Sequence, residues 1–407
     1  MSDLSTDTPD EAQLAQVQAY RNEFQSADDR AGPQPGYVAM LEETGGISCP
    51  FPGFVQAASR EAVTTVLGDR KNFSSAGTME LGNIRPMIPL QIDPPDHAKY
   101  RKILDPLFAP KVMDAAEADL TARVNHFIDE FADRGWCNFT DEFAELFPSA
   151  VFLGLMGLPW EELHTFLRLR DGILRVMGPD VPMEEAQEKQ RATGVEIYEY
   201  FGAILDERER NPSDDLLTHF LTAEVDGDRL SREDILDICF LFLIAGLDTV
   251  SDSLTCFFAY LAQHPDQRQR IVDDPSVIPN AVEELLRWET PVPGGVPRRA
   301  LHDTEVCGMT IESGTMVLPN YGAANMDPAE FPDGFDVRFD RENNAHIAFG
   351  AGIHRCLGSH LARRELRITL REWHRRIPVY ELKPGHEKLE YPPGLRSVKN
   401  LMLAWPT

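Results

Sequence analysis

A glycine-rich loop with a single cysteine, Phe-Gly-Ala-Gly-Ile-His-Arg-Cys-Leu-Gly at residues 349–358, constrains this chain more than any other stretch. Its glycines permit backbone angles that a β-carbon forbids, and they let the main chain approach a flat ligand closely. Cys356 lies near the end of the loop, and residues 357–368 have the pattern of a helix. A helix N-terminus favours a thiolate, because its amide N–H groups carry partial positive charge. The loop therefore predicts a cradle with a thiolate ligand.

A thiolate in such a loop can hold haem iron, and the loop is similar to the haem-binding signature of the cytochrome P450 superfamily, Phe-Gly-x-Gly-x-His-x-Cys-x-Gly. Every specified position is matched, so a chance match in 407 residues is negligible. A buried structural cysteine in a glycine turn is the less favoured alternative. A dinucleotide-binding loop that starts at Gly350 is excluded, because Arg355 stands where its third glycine is required.

The resemblance extends over nearly the whole chain beyond about residue 30, and it is closest to soluble bacterial class I members, including camphor-type hydroxylases. It implies a mainly α fold with a smaller β portion. In that fold haem lies between a long distal helix, the I helix, and the cysteine loop with the L helix that follows it. We expect a single haem-binding domain over residues 13–407, a disordered tail over residues 1–12, and a monomer.

Composition argues against several classes of protein. The formal net charge of −27 argues against nucleic-acid binding. The longest apolar run, residues 238–247, is about half the length needed to span a membrane, which predicts a buried helix. The N-terminus lacks the basic and apolar regions of a signal peptide, so we expect a cytoplasmic protein without membrane association. The six cysteines show no paired spacing, which argues against a disulfide framework or a zinc site.

A second motif lies within a long helix that is predicted over residues 235–263. Its sequence Ala-Gly-Leu-Asp-Thr at residues 245–249 is similar to the oxygen-binding motif of the family's I helix. An interior glycine costs about 1 kcal/mol of helix stability and an interior Asp-Thr pair costs more, so the set requires a reason. The resemblance implies that Gly246 widens a groove while Asp248 and Thr249 relay protons to dioxygen. The alternative is a packing glycine followed by a back-bonded threonine.

The resemblance also assigns residues to the cofactor, haem b. Residues implied to hold it, with Cys356 as the axial ligand of the iron, are His97, Arg101, Arg298, His354, Phe349, Gly350 and Gly358. Arg299 is the alternative to Arg298 for a propionate, and a surface His–Arg pair is the alternative for His97 and Arg101. Glu284 and Arg287, three apart on a helix, are predicted to form a buried pair that braces the core behind the haem.

The substrate pocket is predicted from the loop before Asp93 and from segments that pass the haem in the family. Its candidate residues are Arg85, Met87, Ile88, Leu243, Ile244, Val292, Gly294, Gly295, Val296 and Leu395. The tyrosine donor of camphor-type members has no counterpart, because Arg85 takes roughly its place, and the glycine pair leaves room for a broader molecule. We therefore expect a neutral terpenoid or alkyl-aromatic substrate, with Arg85 turned to solvent or to a propionate. The alternative is a fatty or aromatic acid anchored by Arg85.

The reaction implied is insertion of one oxygen atom from dioxygen into a C–H bond. The sequence has no flavin, nicotinamide or iron–sulfur motif, so electrons are expected from NAD(P)H through a separate reductase and an iron–sulfur ferredoxin. Arginines that adjoin and follow the cysteine, in an otherwise acidic chain, predict a ferredoxin docking patch at Arg355, Arg363 and Arg364. The alternatives are a peroxide-driven peroxygenase and a haem-thiolate sensor; the Asp-Thr pair argues against both.

Overall fold

The computed structural model describes residues 31–176, 181–225 and 227–407. These residues form mainly helices with small sheets, which confirms the predicted mainly α fold with a smaller β portion. The tail that was predicted over residues 1–12 lies outside the described residues. Within them, no helix combines the length and the apolarity needed to cross a membrane.

The helices begin at recognisable capping residues where the sequence supplies them. Ser59 caps α2, Asp215 caps α9, and Ser231 forms a reciprocal capping box with Asp234 at the start of α10. The α-helices, in chain order, are α1 (Gln34–Thr44), α2 (Arg60–Gly68), α3 (Asp96–Leu104), α4 (Pro110–Ala115), α5 (Glu117–Asp129), α6 (Leu146–Leu155), α7 (Leu163–Leu174), α8 (Met183–Arg210), α9 (Leu216–Thr222), α10 (Arg232–Gly246), α11 (Thr249–Gln263), α12 (Pro265–Asp273), α13 (Ile278–Glu289), α14 (Tyr321–Ala324) and α15 (Ser359–Arg376).

The strands are short and form one five-stranded sheet and smaller ones. In the larger sheet the order is β1-β2-β10-β7-β3, and β10 runs parallel to β2 and antiparallel to β7. The strands are β1 (Ile47–Phe51), β2 (Phe54–Ala57), β3 (Phe73–Ser74), β4 (Trp136–Asn138), β5 (Glu224–Val225), β6 (Asp228–Arg229), β7 (Arg298–Ala300), β8 (Thr304–Val306), β9 (Met309–Ile311), β10 (Met316–Pro319), β11 (Glu381–Leu382) and β12 (Met402–Ala404).

The long helix predicted over residues 235–263 is divided at Leu247 and Asp248, so the prediction of one continuous helix was wrong. Side-chain hydroxyls take main-chain acceptors at this point. Thr249 Oγ1 donates to the Ala245 carbonyl at 3.1 Å. Ser251 Oγ donates to the Ala144 carbonyl at 2.6 Å and lies 3.1 Å from the Leu247 carbonyl. Because these bonds compete with the regular ladder beside a glycine, the helix breaks between α10 and α11.

Two hydrophobic clusters hold the elements on either side of this break. One cluster surrounds Trp373 and joins α5, α11, α13 and α15. The other joins α6, α7, α8 and α10. The junction of α10 with α11, and the loop that leads into α15, are therefore both carried by buried helices, which fixes their positions in the fold.

Candidate active site

The cysteine loop is a tight turn that main-chain contacts hold in place. Gly352 has a φ of +69°, and a β-carbon there would lie 2.3 Å from the Leu67 carbonyl oxygen. The Cys356 N–H donates to the Phe349 carbonyl at 2.9 Å. Helix α15 begins at Ser359, two residues later than the sequence predicted. Only a chain without a side chain at Gly352 can therefore pack this loop against the end of α2.

Cys356 is crowded by protein atoms yet keeps exposed surface, and we call the open space beside this residue the cleft. Burial raises the pKa of its thiol above the ordinary value. The Gly358 N–H and the charges of Arg355, Arg101 and Arg363 act in the opposite direction and stabilise the thiolate. A metal cation at the sulfur would complete that stabilisation, because coordination displaces the thiol proton.

A group of basic side chains lies beside the loop. His97 is buried, and its Nε2 has no hydrogen-bond partner among the residues that the structure describes. The His354 ring meets the His97 ring edge-on, with 4.4 Å between centroids, and its Nε2 lies 3.2 Å from Ser75 Oγ. Burial, then Arg298 and His97, lower the pKa of His354 to about 3. These side chains can bind an anion that enters the cleft.

Arg298 is the buried cation of this group. It is 4% exposed, and its Nη1 donates to the carbonyls of Val296 at 2.8 Å and Pro297 at 3.1 Å. Burial lowers its pKa, as expected for a guanidinium that has main-chain acceptors and, among the described residues, no paired carboxylate. Arg299, the next residue of β7, projects to the opposite face of the strand. A haem propionate would supply the missing acceptor for His97 and the missing counter-charge for Arg298.

Arg101 occupies a more exposed position at the edge of the same group. Its Nε pairs with Asp105 at 2.7 Å, and its Nη1 donates to the Arg355 carbonyl at 3.1 Å. The helix α3 and the cysteine loop are therefore tied together at the residue before Cys356. This arrangement fits the haem carboxylates that the sequence motifs implied, and the residues present fit the cofactor.

Asp248 is buried in an ion-pair cluster that sequence reasoning missed. One of its carboxylate oxygens lies 2.9 Å from Arg170 Nη1 and 3.3 Å from Arg175 Nη2, both on or at the end of α7. Burial raises the pKa of Asp248, and the two arginines oppose that effect. The partners are more than 70 residues apart in sequence, so no local pattern could have indicated them.

Close packing against α6 requires a glycine at position 246. A β-carbon on it would lie 2.9 Å from Cδ2 of Phe152 on α6, so the bare glycine admits that ring. Ala245, next to Gly246 at the end of α10, is exposed although Leu243 and Ile244 just before it are buried. Ala245 and Thr249 are four apart and share one face. That face, rather than the side of Gly246 that packs on Phe152, keeps accessible surface.

The predicted brace is present behind the loop. Arg287 donates from Nε and Nη2 to the two oxygens of Glu284, each at 2.9 Å, and both residues are fully buried. Arg341 and Asn344 donate to the same carboxylate, so its acceptors are well satisfied. Since every charge is paired and hydrogen-bonded, the cluster can sit in the core without an unpaired ion.

Several predicted pocket residues lie elsewhere than expected. Leu243 has no exposed surface and packs in the core with Met87, Ile88 and Ile244, so the prediction chose the wrong face of α10. The space beside Gly295 is filled by Tyr321, whose ring would lie 2.2 Å from a β-carbon there, so that glycine leaves no room for substrate. Besides Arg85, the candidates that keep accessible surface are Val292, Gly294, Val296 and Leu395.

Arg85 pairs with a carboxylate on α10 while its side chain stays 32% exposed, so it is neither free in solvent nor directed to a propionate as predicted. Its Nε donates to both carboxylate oxygens of Asp237 on α10, at 3.1 and 3.0 Å. Its guanidinium also lies 4.9 Å from the centre of the Tyr198 ring on α8. The pairing joins residues 152 apart in sequence, which is why the local motif did not reveal it.

The predicted docking patch is largely neutralised by neighbouring acids. Arg363 donates to Glu283 at 2.7 Å, and Arg364 pairs with Glu117 at 2.5 Å and with Asp114. Arg355 is exposed and makes no ion pair with any residue that the structure describes. The three arginines are therefore not equivalent as docking residues.

Known proteins resemble this chain in sequence and in fold. The Cytochrome P450 family profile matches residues 181–376. The probable cytochrome P450 127A1 of Sinorhizobium fredii is 35% identical over 344 residues, which cover 84% of this chain and 80% of the relative. The steroid C26-monooxygenase of Mycobacterium tuberculosis strain CDC 1551 is 33% identical, over 81% of this chain and 88% of the relative.

A solved structure shows the same architecture. The myxobacterial cytochrome P450 CYP267B1 in complex with myristic acid superimposes with a TM-score of 0.86 at 28% identity. The match covers 95% of this chain and 99% of that protein. The correspondence therefore includes both the helices around the cleft and the loop that carries the cysteine.

Proposed function

The chain belongs to the cytochrome P450 family, and we propose that it hydroxylates a neutral hydrophobic molecule with electrons from a ferredoxin. Members of this family are haem b monooxygenases supplied with electrons from NAD(P)H through redox partners. In the proposed reaction one oxygen atom of dioxygen enters a C–H bond of the substrate. The other atom leaves as water, and two electrons and two protons are consumed.

The setting of Cys356 is the observation that carries the proposal. Its sulfur is reachable from the cleft, and the Gly358 N–H and three arginines stabilise its thiolate form. When bound, haem supplies the activation of dioxygen, which the thiolate ligand promotes by donating electron density to the iron. In this proposal His97, Arg101, Arg298 and His354 bind the haem carboxylates.

The chain's own contribution on the distal side is the handling of protons. Thr249 lies on the exposed face of the α10–α11 junction, where its hydroxyl can hold a proton close to the reacting atoms. Asp248 is held by Arg170 and Arg175, so its carboxylate must loosen from at least one of them to exchange protons with that hydroxyl. We assign Thr249 the positioning of protons and Asp248 their supply.

The proposed substrate is neutral and apolar, of terpenoid or alkyl-aromatic type. Met87 and Ile88, from the loop before α3, pack with Leu241 and Ile244 of α10 in one buried apolar cluster, so this part of α10 has apolar surroundings. Relatives include a steroid monooxygenase and a protein solved with a fatty acid, so hydrophobic molecules of both neutral and acidic kinds occur in the family. The ion pair of Arg85 with Asp237 favours the neutral kind for this chain.

Substrate-dependent oxidation of NAD(P)H by the haem-loaded protein, reconstituted with a ferredoxin and its reductase, tests the proposal. We expect hydroxylated product in proportion to nicotinamide oxidised, and no product when the ferredoxin is left out. Product formed equally well from hydrogen peroxide without redox proteins would identify a peroxygenase instead. Tight ligand binding with no turnover under either condition would favour a sensor.

A further inference from the structure

Arg85 belongs to a flap, residues 79–91, that is braced by its own side chains. Gln91 is 2% exposed, and its amide donates to the Met79 carbonyl at 2.7 Å and accepts from the Met87 N–H at 3.0 Å. Asn83 donates to the Arg85 carbonyl at 2.9 Å. These bonds cross-link both ends of the flap through its interior, so the backbone that carries Arg85 is held in one conformation.

The flap is fastened to α8 by direct backbone contact. A β-carbon on Gly194 would lie 1.9 Å from the Gly82 carbonyl oxygen, and one on Gly82 would lie 2.1 Å from the Gln190 carbonyl oxygen. The two glycines therefore allow the backbone of the flap to touch the backbone of α8. One helical turn further along α8, Tyr198 presents its ring to the Arg85 guanidinium.

Carboxylates outnumber the cation at this place. Asp237 is 4% exposed and its two oxygens both face Arg85 Nε. Glu233 acts electrostatically on Arg85, and Asp234 acts on Asp237. One guanidinium thus stands against three acidic side chains, which gives the surroundings an excess of negative charge.

The pair lies on the same helix as the exposed Ala245. Asp237 precedes Ala245 by eight positions, or about 12 Å of helix. Met87 and Ile88, next to Arg85 in the flap, pack in the same cluster as Leu241. An elongated hydrophobic molecule with its reacting end at the cleft would bring its far end to Arg85.

We propose that Asp237, by holding Arg85, makes the site selective for neutral molecules and disfavours carboxylate-bearing ones of the same length. This inference rests on the proposed function and narrows its substrate class. A substrate carboxylate could use the remaining N–H groups of Arg85, but Asp237 already neutralises the guanidinium, and displacing Asp237 would leave a buried carboxylate without its partner. The neighbouring Glu233 and Asp234 would repel that substrate further. A neutral molecule leaves the pair intact.

Matched ligands test this directly on the haem-loaded protein. Tetradecanoic acid and 1-tetradecanol have the same chain and differ in charge, and their affinities follow from the low-to-high-spin absorbance shift and from calorimetric titration. We expect the wild type to bind the alcohol about tenfold or more tightly than the acid. Asp237→Asn should move the ratio of affinities about tenfold toward the acid, because it frees the charge of Arg85.

Two further variants isolate the pair. Asp234→Asn removes an equal charge less than one turn away on the same helix, where Asp234 accepts a hydrogen bond from Tyr100 at 2.8 Å. It should change the ratio of the affinities for the alcohol and the acid less than about threefold. Adding Arg85→Gln to Asp237→Asn should abolish the gain in affinity for the acid that Asp237→Asn alone produces. An unchanged ratio in Asp237→Asn, or a wild type that prefers the acid, would overturn the inference. Loss of the thiolate spectrum would instead contradict the proposed function.

Discussion

The hydroxyl of Thr249 donates to the Ala245 carbonyl at 3.1 Å, on a partly exposed face at the junction of α10 and α11. If it positions protons, Thr249→Ala should lower the product formed per nicotinamide oxidised about tenfold and release hydrogen peroxide, while haem and ligand binding stay intact. Thr249→Ser keeps the hydroxyl and should retain coupling. Product and peroxide are measured against nicotinamide consumed. Unchanged coupling in Thr249→Ala would leave the threonine with a packing role.

His374 provides a residue-scale prediction away from the site. Its Nδ1 faces the Leu370 carbonyl at 2.7 Å, and burial lowers its pKa from 6.5 to about 4. Between those values the unfolded chain binds more protons than the folded one, so stability is lost as pH falls below 6.5, by up to about 1.4 kcal/mol per unit.

His374→Gln should flatten the pH dependence of the unfolding free energy between pH 6.5 and about 4, measured by urea denaturation. His126→Gln, at an exposed position on α5, is the matched control and should leave the dependence unchanged. Equal slopes for the wild type and His374→Gln would show that the buried imidazole does not contribute to acid destabilisation.

At the scale of elements, the contact between α8 and the flap depends on Gly194. Gly194→Ala would force a β-carbon into the Gly82 carbonyl, so we expect a loss of about 1–3 kcal/mol and faster hydrogen exchange over residues 79–91. Gly202→Ala, in the same helix, has its nearest atom at 3.9 Å and should gain up to about 1 kcal/mol from helix propensity. Similar effects of the two substitutions would contradict the close contact.

Local patterns predicted the existence of most elements that carry the site. The cysteine loop and the Glu284–Arg287 brace could be predicted, because each depends on residues close together in sequence. The break at Leu247 could not, since it arises where hydroxyls of Thr249 and Ser251 capture main-chain carbonyls, one of them on Ala144. The prediction of Leu243 as a pocket residue failed because the apolar run over residues 238–247 has no polar face to set the rotation of the helix.

At the scale of the whole molecule, the formal charge is −27, and most of the arginines on α15 are paired with acidic side chains. We therefore expect Arg355, which is exposed, to carry the steering of an acidic ferredoxin. Arg355→Gln should slow reduction by ferredoxin about threefold or more at low salt and flatten its salt dependence.

Arg364→Gln is the matched control, since it removes the same charge from an internal ion pair with Glu117. It should leave reduction nearly unchanged and cost less than about 1 kcal/mol of stability, because the pair is partly exposed. Stopped-flow reduction over a range of salt concentrations measures both variants. Equal effects of the two substitutions on the rate of reduction would show that ferredoxin docks on the whole arginine patch rather than at Arg355.

The parts of the site that sequence could not supply are ion pairs between distant segments. Asp248 with Arg170, and Arg85 with Asp237, each join residues that only the folded chain brings together. Charge counting placed Arg355, Arg363 and Arg364 in one patch, because it could not see the acidic partners that α13 and α5 bring to α15. Ion pairs between distant segments, rather than residue type alone, decide which charged side chains remain available to bind a partner or a ligand.

The central claim is that the Cys356 thiolate binds haem iron. The carbon monoxide difference spectrum of the reduced protein tests it most directly, with Cys307→Ala, at another exposed cysteine, as the control. We predict that the wild type and Cys307→Ala show the red-shifted Soret band of a thiolate-ligated haem, and that Cys356→Ala loses it. A red-shifted band that persists in Cys356→Ala would contradict the account.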